Sequence, residues 1–212
     1  MIIVLTGAPG AGKGTQAALL TDRTDLVTLS TGDALRAQVK AKTEIGNKAS
    51  AIMERGELVP DDVLLGILEA ELSGLKGKTV LLDGYPRNVA QAETLDKLQD
   101  KYPVKSAIQL DVQRDELIQR LSGRRICSSC GQSYHIQYSP TKVDGKCDKC
   151  GSEVIQRKDD NAESVAVRLD VYEKNTRPVL DFYKEKGMLH VVEGVGSTED
   201  IYNRLKTTIE GL

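Results

Sequence analysis

The chain is predicted to fold as an α/β protein, a five-stranded parallel sheet with helices on both faces that carries two smaller inserted segments. Apolar runs at residues 2–5, 26–29, 79–82, 106–110 and 189–192 alternate with amphipathic helical stretches, the pattern of a parallel sheet covered on both sides. Segments 7–15, 30–33 and 83–87 each follow one of these runs. In such sheets ligands collect at the carboxyl ends of the strands, so three separate parts of the chain point at one crevice. With 212 residues and 40% hydrophobic content the chain can bury one sizeable core. The predicted core comprises residues 1–29, 60–123 and 162–212. Residues 30–59 are mainly helical with no strand, and residues 124–161 have few helical signals but hold every cysteine, so both are read as insertions.

The first strand leads directly into Gly7-Ala-Pro-Gly-Ala-Gly-Lys-Gly-Thr15. Glycines at this density let consecutive backbone N–H groups point into one anion-sized concavity, and a helix beginning near Lys13 adds the positive end of its dipole. Lys13 is placed to reach the β and γ phosphates of a nucleotide. The motif departs from the strict phosphate-loop pattern because Gly14 stands at the hydroxyl position and Thr15 comes one residue later, which leaves a direct hydroxyl ligand to Mg²⁺ open. Asp83 closes the third strand and resembles the acidic residue that holds Mg²⁺ in phosphate-loop enzymes; a helix N-cap is the alternative.

Cys127-Ser-Ser-Cys130-Gly and Cys147-Asp-Lys-Cys150-Gly form two knuckles whose spacing brings four thiolates around one Zn²⁺. Four protein ligands leave no open position, so the metal is expected to be structural. A pair of disulfides is the competing reading, disfavoured in a chain expected to be cytoplasmic. His135 lies between the knuckles and is assigned no role. Arg36, Arg87, Arg120, Arg124, Arg157 and Arg168 fall at element ends around the crevice, and guanidinium forks match phosphate oxygens. Holding two phosphorylated molecules together requires several cations besides Mg²⁺. A single arginine could equally be an ion-paired surface residue, and Asp159-Asp160 either pairs with these arginines or forms a solvated hinge. The net charge of −2 gives no broad attraction to nucleic acid or anionic membrane, no apolar stretch is long enough to span a bilayer, and small molecules are the expected partners.

Taken together, residues 7–15, 30–36, 83–87, 123–125 and 157–160 resemble the adenylate kinases, in the long form whose lid binds zinc, and the similarity runs from residue 1 to about residue 205. The resemblance implies a P-loop NTPase fold with an AMP-binding insert at 30–59 and a zinc-ribbon lid at 124–161. It further implies reversible transfer of the γ-phosphoryl group of MgATP to AMP, giving two ADP, by a monomer. It assigns the donor phosphates to Gly10, Ala11, Gly12, Lys13, Gly14 and Thr15, and the rest of the donor nucleotide to Arg120, Arg124, Ser133, Tyr134 and Gly196. AMP falls to Thr31, Arg36, Glu57, Leu58, Val59, Gly84, Tyr85, Pro86, Arg87, Gln91, Arg157 and Arg168, with Gln91 reading the adenine edge through its amide. Arg157 and Arg168 are implied to clamp the transferring group, so Lys13, Arg87, Arg124, Arg157 and Arg168 form the implied catalytic set. Tyr85 departs from the phenylalanine of many relatives. A UMP/CMP kinase shares the phosphate loop and the arginine clamp. A zinc-ribbon ATPase presenting Tyr134 and Tyr138 among Lys142, Lys146 and Lys149 to nucleic acid is an alternative of another class.

Overall fold

The computed structural model describes residues 1–212. Strand β1 (Ile2–Thr6) and helix α1 (Lys13–Arg23) open the chain, and β2 (Val27–Ser30) is followed by α2 (Thr31–Lys40), α3 (Glu44–Glu54) and α4 (Asp61–Ser73). Next come β3 (Val80–Asp83), α5 (Val89–Lys97), β4 (Val104–Asp111) and α6 (Arg114–Gly123). Three short strands, β5 (Arg124–Cys127), β6 (Ser133–His135) and β7 (Val154–Ile155), then interrupt the alternation. After a 3₁₀ turn at Lys158–Asp160 the chain ends with α7 (Ala162–Val171), a π-helical segment (Tyr172–Thr176), α8 (Pro178–Glu185), β8 (Leu189–Glu193) and α9 (Thr198–Glu210).

The main sheet has the order β2-β3-β1-β4-β8, and every pairing in it is parallel. Its strands are the five apolar runs of the sequence, each shifted or extended by one to three residues. All five residues of β1 are buried, because the strand lies at the centre of the sheet with helices over both faces. Its side chains alternate between two cores. Ile2 and Val4 pack with Val80, Leu82, Leu68 and Leu95 on one face, while Ile3 and Leu5 pack with Leu20, Leu81, Ile108 and Leu205 on the other. The alternation in β4 is broken by a bulge at Lys105: Ile2 pairs with Val104 and Ile3 already with Ser106. That extra residue puts Ile108 and Leu110 on the same face as Leu5.

The connection leaving β1 runs to one side of the sheet and the connection leaving β3 to the other, so a crevice opens at the carboxyl ends of these two strands. The segment between β2 and β3 packs α2 against α3 at Gly46, where an added Cβ would overlap the Gln38 carbonyl and the Val39 amide nitrogen. The segment between α6 and α7 is a separate antiparallel sheet of order β6-β5-β7.

Gly46→Ala must push α3 off α2, and overpacking of this kind costs about 1–3 kcal/mol. Urea unfolding should move to lower midpoint with unchanged slope, and hydrogen exchange should accelerate in residues 31–54. Exchange unchanged in that segment would mean the two helices have room that their packing does not show.

Candidate functional site

Five helices, α2, α3, α5, α7 and α9, begin at a serine, threonine or asparagine whose side chain accepts from a first-turn N–H. The first turns of α4, α6 and α8 carry acidic residues. Helix α1 alone has neither: it starts at Gly12, φ 96°, with no side-chain cap and no acid in its first turn. Its amide groups and the positive end of its dipole therefore face the crevice with no protein anion against them, the requirement for binding an external one. The positive φ suits glycine alone at this turn, as expected for the loop. Gly10 and Ala11 precede it and Gly14 and Thr15 follow as exposed first-turn residues. Lys13 turns its Nζ back onto the loop, donating to the carbonyls of Gly7 at 2.6 Å and Ala8 at 3.1 Å. Burial pulls its pKa down to about 8; nearby Asp83 opposes the shift, while Arg87, Arg168 and Arg124 add to it.

Asp83 ends β3 beside β1, opposite Leu5, and lies buried. Burial raises its pKa against the pull of Lys13 and Arg87. A cavity of about 560 Å³ is lined by Gly14, Thr21, Asp22, Ser30, Asp33, Asp83 and, from across the crevice, Lys149 of the knuckle segment. Carboxylate oxygens facing one cavity are the donor set that Mg²⁺ accepts, so the residues fit that ion.

On the β2 side Thr31 is buried and donates to the Gly84 carbonyl at 2.8 Å, tying the α2 start to the Asp83–Arg87 turn. Arg87 donates through Nε to the same carbonyl at 2.7 Å. Arg36 pairs with Asp33. Gln91 is 1% exposed, and its Oε1 accepts from the Arg87 N–H at 2.6 Å. Tyr85, joined to Pro86 by a cis peptide, donates its hydroxyl to the Gln91 carbonyl at 3.3 Å, so the departure from phenylalanine adds a bond within this turn. Val59 is part of the core and Leu58 is half-buried, whereas Glu57 faces outward in an ion pair with Arg55.

One carboxylate of the second insertion joins Arg124 of that insertion to Arg168 of the core. Asp160, whose side chain is fully buried, accepts from both Nε and Nη2 of Arg124 and from Nη1 of Arg168. Asp159 also pairs with Arg168, at 3.0 Å. The acid pair is therefore an arginine anchor and not a solvated hinge. Arg157 has a buried Nε with no partner, and burial together with Arg36 and Arg124 brings its pKa down to about 10. Arg120 stands apart: it pairs with Glu116 and donates to Gly194 O at 2.8 Å, while Gly196 lies in the same loop. Lys158 reaches Glu54 of α3 at 2.9 Å, so the second insertion touches the first.

The four cysteine Sγ atoms lie within 4.8 Å of one another, with Cys127–Cys150 at 3.4 Å and Cys130–Cys147 at 3.6 Å. Disulfides are excluded because bonded sulfurs lie about 2.05 Å apart, and the edge of a tetrahedral zinc–thiolate shell is about 3.8 Å. Gly131 and Gly151 take φ of 75° and 74°, and each donates its N–H back to the first cysteine of its own knuckle. The donor set fits Zn²⁺. His135 is outside the cluster; its ring stacks on Tyr138 at 4.4 Å and lies against Gly123. Tyr134 turns its side chain into the knuckle core, its hydroxyl 3.3 Å from Cys147 Sγ and accepting from Asp148 N–H at 2.8 Å, so that its main chain is what it can offer to the crevice. The packing of a three-residue strand with only one buried side chain decides this, and it leaves Ser133 half-buried beside it. With Tyr134 buried, the aromatic surface of the nucleic-acid alternative loses one of its two rings.

Two contributors have no motif. Thr176, in the π-helical segment, donates to the Arg87 carbonyl at 2.8 Å, and Asp61, the first residue of α4, accepts from the Gln91 amide. Their roles come from long-range contacts that local sequence does not encode.

An uncapped glycine-loop helix facing a ring of arginines, on a parallel sheet of this order, defines a phosphate-loop phosphotransferase. The family model described as adenylate kinase matches residues 5–188. Similar proteins named adenylate kinase include one from Thermodesulfovibrio yellowstonii, 51% identical over 99% of both chains. Another, from Caldanaerobacter subterraneus subsp. tengcongensis, is 47% identical over 100% of this chain and 97% of its own. The Bacillus subtilis protein is 46% identical over 100% of this chain and 99% of its own. This chain belongs to the adenylate kinase family.

Lys13 generates a stability prediction. Its folded pKa of about 8 lies below the ordinary 10.5, so between these values the unfolded chain binds more protons and stability rises with pH; below pH 8 the full penalty applies. Lys13→Met should make the nucleotide-free protein more stable at pH 7 and flatten the rise between pH 8 and 10.5, measured by urea unfolding across pH. A variant less stable than the parent at pH 7 would show that the buried ammonium is not under strain.

Proposed function

We propose a division of labour among these residues in the family's reaction, the reversible transfer of the γ-phosphoryl group of ATP to AMP to give two ADP. The chain catalyses that reaction; the assignment of each residue is our reading. The observation that carries it is the N-terminus of α1, which has neither cap nor acid while every other helix has at least one. Gly10 to Thr15 hold the donor phosphates through main-chain N–H groups, and Lys13 exchanges its loop carbonyls for the β and γ oxygens. Arg120 and Gly196 border the donor base and ribose, with Ser133 and the main chain of Tyr134 across from them. Thr31, Arg36, Gly84, Arg87 and Gln91 take AMP, Arg36 and Arg87 gripping its phosphate, and residues 57–59 and the Tyr85-Pro86 turn border the base.

Arg124, Arg157 and Arg168 act on the transferring group, whose charge spreads over its equatorial oxygens in the transition state. The acceptor is itself a phosphate, ionised at neutral pH, so no general base is required. Asp83, with Asp33 near it, would hold Mg²⁺, which when bound neutralises phosphate charge. The two insertions, 30–59 and 124–161, close over the nucleotides and keep water from the γ-phosphoryl group; the Lys158–Glu54 ion pair between them, and Lys149 lining the same cavity as Gly14 and Asp83, support this. One chain supplies both nucleotide sites, which supports a monomer. Cytoplasmic location is supported by the reduced cysteine cluster, and no helix is long and apolar enough to cross a membrane.

A coupled assay offering AMP, UMP, CMP and GMP tests the acceptor. A site that hydrogen-bonds the adenine edge penalises bases that leave its amide unpaired, so AMP should lead by at least about a hundredfold in kcat/KM. Comparable values for UMP or CMP would overturn the adenine assignment and leave the fold intact.

Zn²⁺ at Cys127, Cys130, Cys147 and Cys150 is proposed to be structural. Only three buried residues, Cys127, Tyr134 and Cys147, form the core of this segment, so the metal supplies what packing does not. Chelation under reducing conditions should melt the segment before the main sheet while turnover persists at low temperature. Turnover that vanished with the segment still folded would make the metal catalytic.

A further inference from the structure

Gln91 sits at the meeting point of two helix starts. Its own N–H is bound by the cap of α5, Asn88 Oδ1, at 2.8 Å, and Asn88 donates through Nδ2 to the Asp61 carboxylate at 3.2 Å. Gln91 Nε2 donates to that same carboxylate, while its Oε1 accepts from the Arg87 N–H at 2.6 Å. A carboxamide has two donor hydrogens and two acceptor lone pairs. The protein takes one of each, leaving one hydrogen and one lone pair.

Which atom stands where is settled by the partners. A backbone N–H only donates and an ionised carboxylate only accepts, so oxygen must face Arg87 and nitrogen must face Asp61. Turning the amide over would set N–H against N–H and oxygen against carboxylate. The free donor and acceptor complement a 6-aminopurine, whose amino group donates and whose N1 accepts. A 6-oxopurine presents a carbonyl and an N1–H, the reverse pair.

We infer that Asp61 is a specificity-determining positioning residue: its carboxylate fixes the Gln91 amide in the orientation that accepts a 6-aminopurine monophosphate and rejects a 6-oxopurine. The inference rests on the proposed placement of Gln91 at the acceptor base. Asp61 makes no contact with the transferring group, so its effect belongs in acceptor discrimination. It is exposed at the first turn of α4, and Asp62 remains beside it to favour the helix start, so its replacement leaves the fold in place.

The experiment compares kcat/KM for AMP and for inosine monophosphate in the parent, Asp61→Ala, Asp61→Asn and Gln91→Ala, with KM for ATP and the unfolding temperature measured alongside. Asp61→Ala should narrow the AMP preference by about tenfold, the scale of one hydrogen bond to a charged group, mainly through acceptor KM. Its kcat and its KM for ATP should stay within about twofold of the parent. Asp61→Asn should recover most of the preference, because its Oδ1 still accepts from Gln91. If Gln91→Ala abolishes discrimination but Asp61→Ala leaves it within about twofold, the role of Asp61 is overturned and the reading of Gln91 stands. If neither variant changes discrimination, the placement of Gln91 fails and the inference fails with it. A lower unfolding temperature with unchanged discrimination would make Asp61 structural and likewise overturn it.

Discussion

Like charge held at close range is the constraint on which this molecule is organised. Lys13, Arg36, Arg87, Arg124, Arg157 and Arg168 lie near enough that each of several lowers the pKa of another. Burial adds to the cost, since a desolvated cation without an anion is among the least favourable groups a fold can hold. The fold responds with a few well-placed carboxylates. Asp160 serves Arg124 and Arg168 together, Asp33 serves Arg36, and Asp83 lies among Lys13 and Arg87. Arg157 is left with an unsatisfied Nε, so the folded protein carries more positive charge in the crevice than its own acids answer. A polyphosphate relieves that imbalance, which ties the energetics of the ligand-free fold directly to ligand affinity.

The backbone around Arg87 shows how the fold limits the freedom of such a residue. Its N–H is taken by Gln91, its carbonyl by Thr176 and its Nε by Gly84 O. Two of these partners lie three and four residues away and one, Thr176, lies 89 positions away, and together they hold the backbone and the Nε of one arginine. Thr176 reaches it from the π-helical segment between α7 and α8, on the continuation of the helix that carries Arg168. The two arginines are thereby coupled through covalent structure and a single hydrogen bond.

Much of this was legible in the chain itself. The five apolar runs became the five strands because central parallel strands must be apolar on both faces, a signal that needs no partner to be read. The knuckles were legible for the same reason: their ligand spacing is local. Asp61 and Thr176 were not, since an acid in a first helical turn and a threonine in a helix have ordinary local explanations, and only packing across 30 and 89 positions gives them their partners. The burial of the Tyr134 side chain was not legible, because a strand of three residues gives no periodicity from which to tell its two faces. The resemblance marks Gln91 as a reader of the base, whereas its tie to Asp61 is set by tertiary structure 30 positions away.

Helix α6 ends at Gly123 and β5 begins at Arg124 with no residue between them, while Arg157 stands immediately before the 3₁₀ turn at the other junction. Both stems of the second insertion therefore carry a guanidinium of the crevice, and all four cysteines lie farther out, between residues 127 and 150. The part that gives the flap its solidity is separate from the part that carries its charge. Chain replacement between the stems can exchange one way of stiffening the tip for another, a bound ion for a packed hydrogen-bonded core, and the electrostatics at the base will be inherited unchanged.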